Sequence, residues 1–244
     1  MTAFRRLPVA LAGLALMPGA AHALPLIDLE VGARYWQADP SGEVAYQGDK
    51  FEVADDLDFE DEGSPNLYAR AALPFITLDA EYTSLAYEGK VQQTISGSQW
   101  GGQNVDVGGD SSFDAKILHG GAMFNVPLPV IDIGLGLGAT NFDAEAELDT
   151  DAGTERGSAD VTLPVAKGEL RVNFPAIPIN ASVRANGIGY DGDSYRDVTA
   201  ELGYEIGLLQ IRAGYREIVV DYEDDDFTWD TKFSGPFAGL HLAF

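Results

Sequence analysis

The side chains able to do chemistry are few. The sequence holds three histidines and no cysteine, which excludes thiol nucleophiles and thiolate metal sites. His22 falls in a segment predicted to be removed, leaving His119 in "ILHGGAMF" and His241 in "GLHLAF". A histidine base needs a partner nucleophile, and neither stretch places a serine two residues away; a distant serine can still converge in space. Each histidine is therefore read as a hydrogen-bonding group, no catalytic residue is assigned, and the chain is expected not to be an enzyme. The acidic runs "ADDLDFEDE", with Asp55, Asp56 and Asp58, and "DYEDDDFTWD", with Asp224, Asp225 and Asp226, offer oxygen ligands suited to Ca²⁺ or Mg²⁺. They lack the glycine and spacing of an EF-hand loop. A solvated, self-repelling surface is the simpler reading. No cofactor or resident metal is expected, and Ca²⁺ or Mg²⁺ at these loops is the alternative.

The remaining charges are sorted at every second residue, which is the period of a strand. "LIDLEVGARYW" puts Ile27, Leu29, Val31, Ala33 and Tyr35 on one face, with Asp28, Glu30, Gly32, Arg34 and Trp36 on the other. "AKGELRVNF" sorts Leu170, Val172 and Phe174 from Lys167, Glu169 and Arg171. "LLQIRAGYR" sorts Leu209, Ile211, Ala213 and Tyr215 from Arg212 and Arg216. The same sorting sets Arg70, Glu81, Arg184, Glu201, Glu205 and His241 apart from their apolar neighbours. One stretch resists: between Phe113 and Val126 the alternation slips near Leu118, and a β-bulge is expected there. "GLGLGA" lies within a strand pattern and opens no helix, so it is no phosphate loop.

Strands with one wholly apolar face need an apolar surrounding. The N-terminus carries Arg5 and Arg6, an apolar run from Leu7 to Met17, and Ala21-His22-Ala23. This is the pattern of a secretory signal peptide, predicted over residues 1–23 with Sec export and a mature chain from Leu24. No later apolar run is long enough for a transmembrane helix. A lipid-embedded chain of this kind can only be a closed barrel. Tight, often proline-bearing turns ("LPFIT", "NVPLPVID", "NFPAIPIN", "EIGLLQ") alternate with longer acidic or glycine-rich connections at residues 39–63, 97–110, 149–158, 191–197 and 223–230. That alternation predicts an all-β, antiparallel transmembrane β-barrel of ten strands over residues 24–244. Eight strands is one alternative, and twelve follows if Tyr46 to Phe59 forms its own hairpin. Strands descending to the short turns end near Phe75, Phe124, Phe174, Tyr204 and Phe244, read as an aromatic girdle at the headgroups. Trp36, at a strand top, and Trp100 and Trp229, in expected loops, are read as interfacial anchors, with stacking on sugars as the alternative.

With "EVGARYWQADPSG" after the signal, "VADDLDFEDE" in the first long connection and a terminal "GLHLAF", the chain resembles small proteobacterial outer-membrane β-barrel proteins, mostly uncharacterised. The resemblance spans the mature chain and implies a Gram-negative outer membrane, but no activity. The C-terminal strand ending on Phe244 resembles the signal read by the barrel-assembly machinery.

In such a barrel the polar parity faces the lumen: Glu30, Arg34, Arg70, Glu81, Lys167, Glu169, Arg171, Arg184, Glu201, Glu205, Arg212, Arg216 and His241. Two readings stand. Interlocking ion pairs fill a narrow, rigid barrel, as width near eight strands favours. Alternatively, the charges line a small-solute or ion pore. A binding module on a plugged barrel is the rival class, engaging cations, lipopolysaccharide or an extracellular partner through the loops. A net charge of -24 argues against nucleic acid as a partner. The expected partners are outer-membrane lipid and lipopolysaccharide, bridged to the loops by divalent ions; oligomeric state is left open.

Overall fold

The computed structural model describes residues 27–46, 49–52, 63–90, 99–100, 103–104, 110–150, 153–190, 193–224 and 227–244. The elements are β1 (Asp28–Gln37), β2 (Asp39–Tyr46), β3 (Asp49–Glu52), β4 (Gly63–Ala72), β5 (Ile76–Lys90), β6 (Gln99–Trp100) and β7 (Gln103–Asn104). They continue with β8 (Asp110–Pro127), β9 (Ile131–Thr150), β10 (Gly153–Asn173), β11 (Ile179–Tyr190), β12 (Asp193–Ile206), β13 (Leu209–Asp224) and β14 (Phe227–Ala243). Ten of them, β1, β4, β5 and β8 to β14, form one antiparallel sheet that closes where β1 meets β14. Phe244 completes the seam, exchanging backbone hydrogen bonds with Leu29 at 2.8 and 3.2 Å. This is the predicted ten-stranded barrel.

The closing strand serves two partners. The lower half of β14 pairs with β1, from Ala243↔Glu30 to Phe237↔Trp36. Its upper half pairs with β2, from Ser234↔Asp39 to Phe227↔Tyr46. β2 thus continues β1 past Ala38 and folds back into β3. The β2–β3 hairpin extends the barrel upward and adds no wall strand, and the Tyr46 to Phe59 hairpin of the twelve-strand alternative falls largely outside the described residues. Gly235 lies at the junction, where a Cβ would collide with the Gln37 carbonyl oxygen.

Most of the expected long connections are extensions of the wall. β9 and β10 stay paired up to Thr150↔Gly153, and β13 and β14 up to Asp224↔Phe227. At the opposite end the turns are short, and Gly207, at φ 63°, makes the tight β12–β13 link that a primed hairpin turn requires.

The lower outer surface is a belt of exposed apolar side chains, including Leu67, Leu135, Leu137 and Leu202. Water would not tolerate so continuous a patch, and lipid suits it. Phe75, Phe124, Phe174, Tyr204 and Phe244 are all exposed near the short-turn end. Phe75 and Phe124 stack, with ring centroids 6.4 Å apart.

Higher up, the chemistry of the two faces exchanges while the parity holds. On β9 the outward series runs Leu135, Leu137, Ala139, then Asn141, Asp143 and Glu145. The inward series runs Gly136, Gly138, Thr140, then Phe142 and Ala144. β8 does the same: Asp114 and Lys116 face out, Ile117 and Phe113 face in. The bulge expected near Leu118 is not there, since the β5–β8 and β8–β9 registers run unbroken from end to end. The slip in alternation is the change of surroundings, from lipid to water outside and from ionic to apolar inside.

Candidate functional site

The side chains that converge do so in the lumen, as two stacked layers. In the ionic layer most carboxylates are shared. Glu81 on β5 meets Arg216 at 2.8 Å, Arg184 at 3.3 Å and Arg34 at 3.7 Å, and accepts a hydrogen bond from Asn66 Nδ2 at 2.8 Å. Glu201 on β12 faces Arg212, with Arg34 at 3.3 Å and Arg184 at 3.8 Å, and accepts from Ser182 Oγ at 3.1 Å. Arg212 spans to Glu30 on β1 at 2.9 Å. Toward the short-turn end, Glu169 binds Arg70 at 2.7 Å and Arg171 at 3.1 Å. Lys167 binds Asp79 at 2.7 Å, and Asp197 receives Arg216 through both oxygens, at 2.8 and 3.1 Å. Cations and carboxylates nearly balance, the condition under which buried charge is tolerated.

Of the lumenal residues read from the sequence, all but Glu205 join this layer or its lower edge. Glu205 is exposed at the short-turn mouth, where it accepts a hydrogen bond from Asn180 Nδ2 at 2.9 Å. Asp79, Asp197, Asn66 and Thr140 were not singled out. Asp79 shares the parity of Glu81 and was legible on that ground. Asp197 lay in an expected connection that is in fact strand.

Both histidines are spoken for. Arg34 Nε donates to His241 Nε2 at 3.1 Å, so the ring proton sits on Nδ1 and goes to Glu30 Oε1 at 2.6 Å. Lys167 Nζ contacts His119 Nε2, which likewise puts the proton on Nδ1, facing Thr140 Oγ1 at 2.8 Å. Each lone pair that a general base would use already accepts from a cation.

Above the ionic layer lies an apolar one. Trp36, Leu85, Ile117, Val165, Ile218 and Phe233 pack across the barrel. Tyr87, Phe113 and Phe233 stack in a triad with centroids 6.0 to 6.3 Å apart, and Phe142 meets Tyr195 edge-on at 5.2 Å. Trp36 Nε1 donates to Gly235 O at 3.1 Å and Tyr87 Oη to Ala38 O at 2.8 Å. Trp36, expected at an interface, is an inner residue because its even parity on β1 points to the lumen. The layers are joined by cation–π contacts, with Arg216 5.0 Å above the Trp36 ring and Arg34 5.3 Å from the Phe237 ring, while within the ionic layer Arg34 and Arg184 lie 4.7 and 4.8 Å from Tyr68.

Among the described residues no group of three or more metal-ligating side chains occurs. Asp55, Asp56, Asp58, Asp225 and Asp226 lie outside the described residues, and Asp224 is placed only as the last residue of β13. Trp100 ends β6 and Trp229 lies in β14.

No protein-family model matches the sequence, and no curated protein matches it. Among solved structures, the outer membrane protease OmpT from Escherichia coli superposes with a TM-score of 0.61 at 12% identity, over 90% of this chain and 97% of that one. Ail, the attachment invasion locus protein of Yersinia pestis, matches at a TM-score of 0.40 and 13% identity, over 89% of this chain and 98% of its own. Neisserial surface protein A matches at 0.36 and 12%, over 89% and 97%. The last two scores carry no structural argument. The likeness to OmpT is one of fold alone: this chain has the fold of an outer-membrane β-barrel.

Proposed function

We propose that this chain sits in the outer membrane as a closed barrel, a rigid scaffold that carries its acidic hairpins outside the cell and conducts no solute. One observation carries this reading. Trp36, Arg212 and His241 are 1% exposed and Ile218 is 0% exposed, although all four point into the lumen. The lining of an aqueous path must touch water, and these side chains do not. A ten-stranded barrel is close to the width that side chains alone can fill. The occupied lone pairs of His119 and His241 support a non-enzymatic role, since neither ring is free to take a proton from a substrate. The hairpins β2–β3, β9–β10 and β13–β14 are then the parts that meet partners.

Single-channel recording on the refolded protein in a planar bilayer tests the reading, with circular dichroism to confirm β-structure. A silent bilayer is expected. Discrete, ion-selective steps from folded protein would replace the scaffold with a pore whose lining includes Arg212 and Arg216.

A further inference from the structure

Where the outer face changes from apolar to polar, two cations share one carboxylate. Arg196 on β12 binds Glu217 Oε1 at 2.8 Å, and Lys232 on β14 approaches Glu217 Oε2 to 3.3 Å. The register seats Arg196 and Lys232 on either side of Val219, with Glu217 one outward step lower on β13. Their side chains are 60% and 44% exposed, so donors beyond the shared pair face outward. The other exposed cations among the described ion pairs are matched singly, Lys116 with Asp143 and Arg156 with Glu147. Among these three side chains one positive charge is left over, in a chain of net charge -24.

Directly below, one outward step down β13 from Glu217, Tyr215 begins an apolar groove of about 450 Å³. Leu170, Val183 and Leu202 wall it, and Ala200 and Ala213 keep its floor low. The groove lies in the lipid-facing belt, and its upper row, with Ala200 opposite Tyr215, is two outward steps below Arg196. Asp221 and Asp230 occupy the next outward row, about 7 Å further along the strands, beyond a phosphate held by Arg196 and Lys232.

We propose that this face binds one phosphate-bearing glycolipid of the outer leaflet, lipopolysaccharide in class. Arg196 and Lys232 take the phosphate, and an acyl chain lies over the alanine floor. Arginine and lysine so placed give charge-assisted hydrogen bonds to phosphate oxygens, and cations at a membrane surface attract anionic headgroups. This rests on the outer-membrane reading and deepens it: the lipid is gripped directly, without divalent ions bridging acidic loops.

The test uses the refolded full-length barrel in phosphatidylcholine vesicles, with and without lipopolysaccharide, and measures lipopolysaccharide retained per barrel. Arg196→Gln with Lys232→Gln should weaken retention roughly thirty-fold, about fivefold per cation. Ala213→Trp, which fills the groove and leaves both cations in place, should also weaken it. Retention should survive a chelator and fall when the lipid is enzymatically dephosphorylated. Unchanged retention in the double glutamine variant, or loss of retention on chelation, would overturn the site. Full competition by millimolar inorganic phosphate would overturn its assignment to a lipid. Wild-type protein that never inserts into vesicles would overturn the barrel reading itself, and the site with it. Insertion without lipopolysaccharide preference would overturn only the site.

Discussion

Arg216→Leu should destabilise the folded barrel by about 3–5 kcal/mol, the usual consequence of stranding a buried charge. Arg216 holds Asp197 through two hydrogen bonds, at 2.8 and 3.1 Å, and both side chains are at most 5% exposed. Leucine leaves the Asp197 carboxylate without that partner, while Glu81 keeps Arg34 and Arg184. Removing both charges together should cost less than removing one, so Asp197→Leu added to Arg216→Leu should recover about 2 kcal/mol or more. Full recovery is not expected, because Arg216 also donates to Thr83 Oγ1 at 2.9 Å. The measurement is equilibrium urea unfolding of protein folded into vesicles, read by tryptophan fluorescence, since Trp36 stacks 5.0 Å from the Arg216 guanidinium. Gel mobility of unheated samples gives a second probe. A cost below about 1 kcal/mol for the single variant, typical of exposed pairs, would mean that water reaches the pair. The filled lumen would then be wrong.

Further outcomes test the rest of the architecture. Leu137→Arg should cost about 2–4 kcal/mol, whereas Asn141→Arg, two outward steps higher on the same face, should cost about 0–1 kcal/mol; equal costs would misplace the membrane boundary. Gly235→Val should cost about 1–3 kcal/mol by overpacking the β1–β2 junction against the Gln37 carbonyl, seen as a lost mobility shift in unheated gels. Tyr87→Phe should cost about 1 kcal/mol in the same urea assay, since it removes the hydrogen bond to Ala38 O.

The wall of this barrel was open to reading because its lower half obeys a single rule. Along Glu30, Arg34 and Arg70 the lumen is polar and the lipid side apolar, and a period of two says so without any long-range information. The aromatic residues Phe75, Phe124, Phe174, Tyr204 and Phe244 could be placed for the same reason. Above Thr140 the rule reverses, and a pattern that looks for apolar-outward strands finds a bulge at Leu118 or a loop at residues 149–158 instead of wall. Trp36 was misplaced by a preference for tryptophan at interfaces, against its own parity. The ion pairs were beyond reach. Arg184 and Glu81 lie 103 residues apart in sequence, and only barrel closure and shear bring them across the lumen. The fixed tautomers of His119 and His241 depend on such crossings too.

The exchange of faces also bears on how the chain finds its pairing. A strand that slips by one residue turns every side chain to the opposite side. In a strand with one uniform pattern, such a slip is penalised by one environment. Here β9 would be penalised twice: Leu135 and Leu137 would enter the ionic layer while Phe142 would turn out to water. The antiparallel partner β8 carries the same reversal at the matching register, with Ile117 opposite Phe142, and on β10 it falls between Lys167 and Val165, opposite Gly136 and Gly138, along unbroken registers. The boundary therefore works as a vernier, two scales that agree at only one setting.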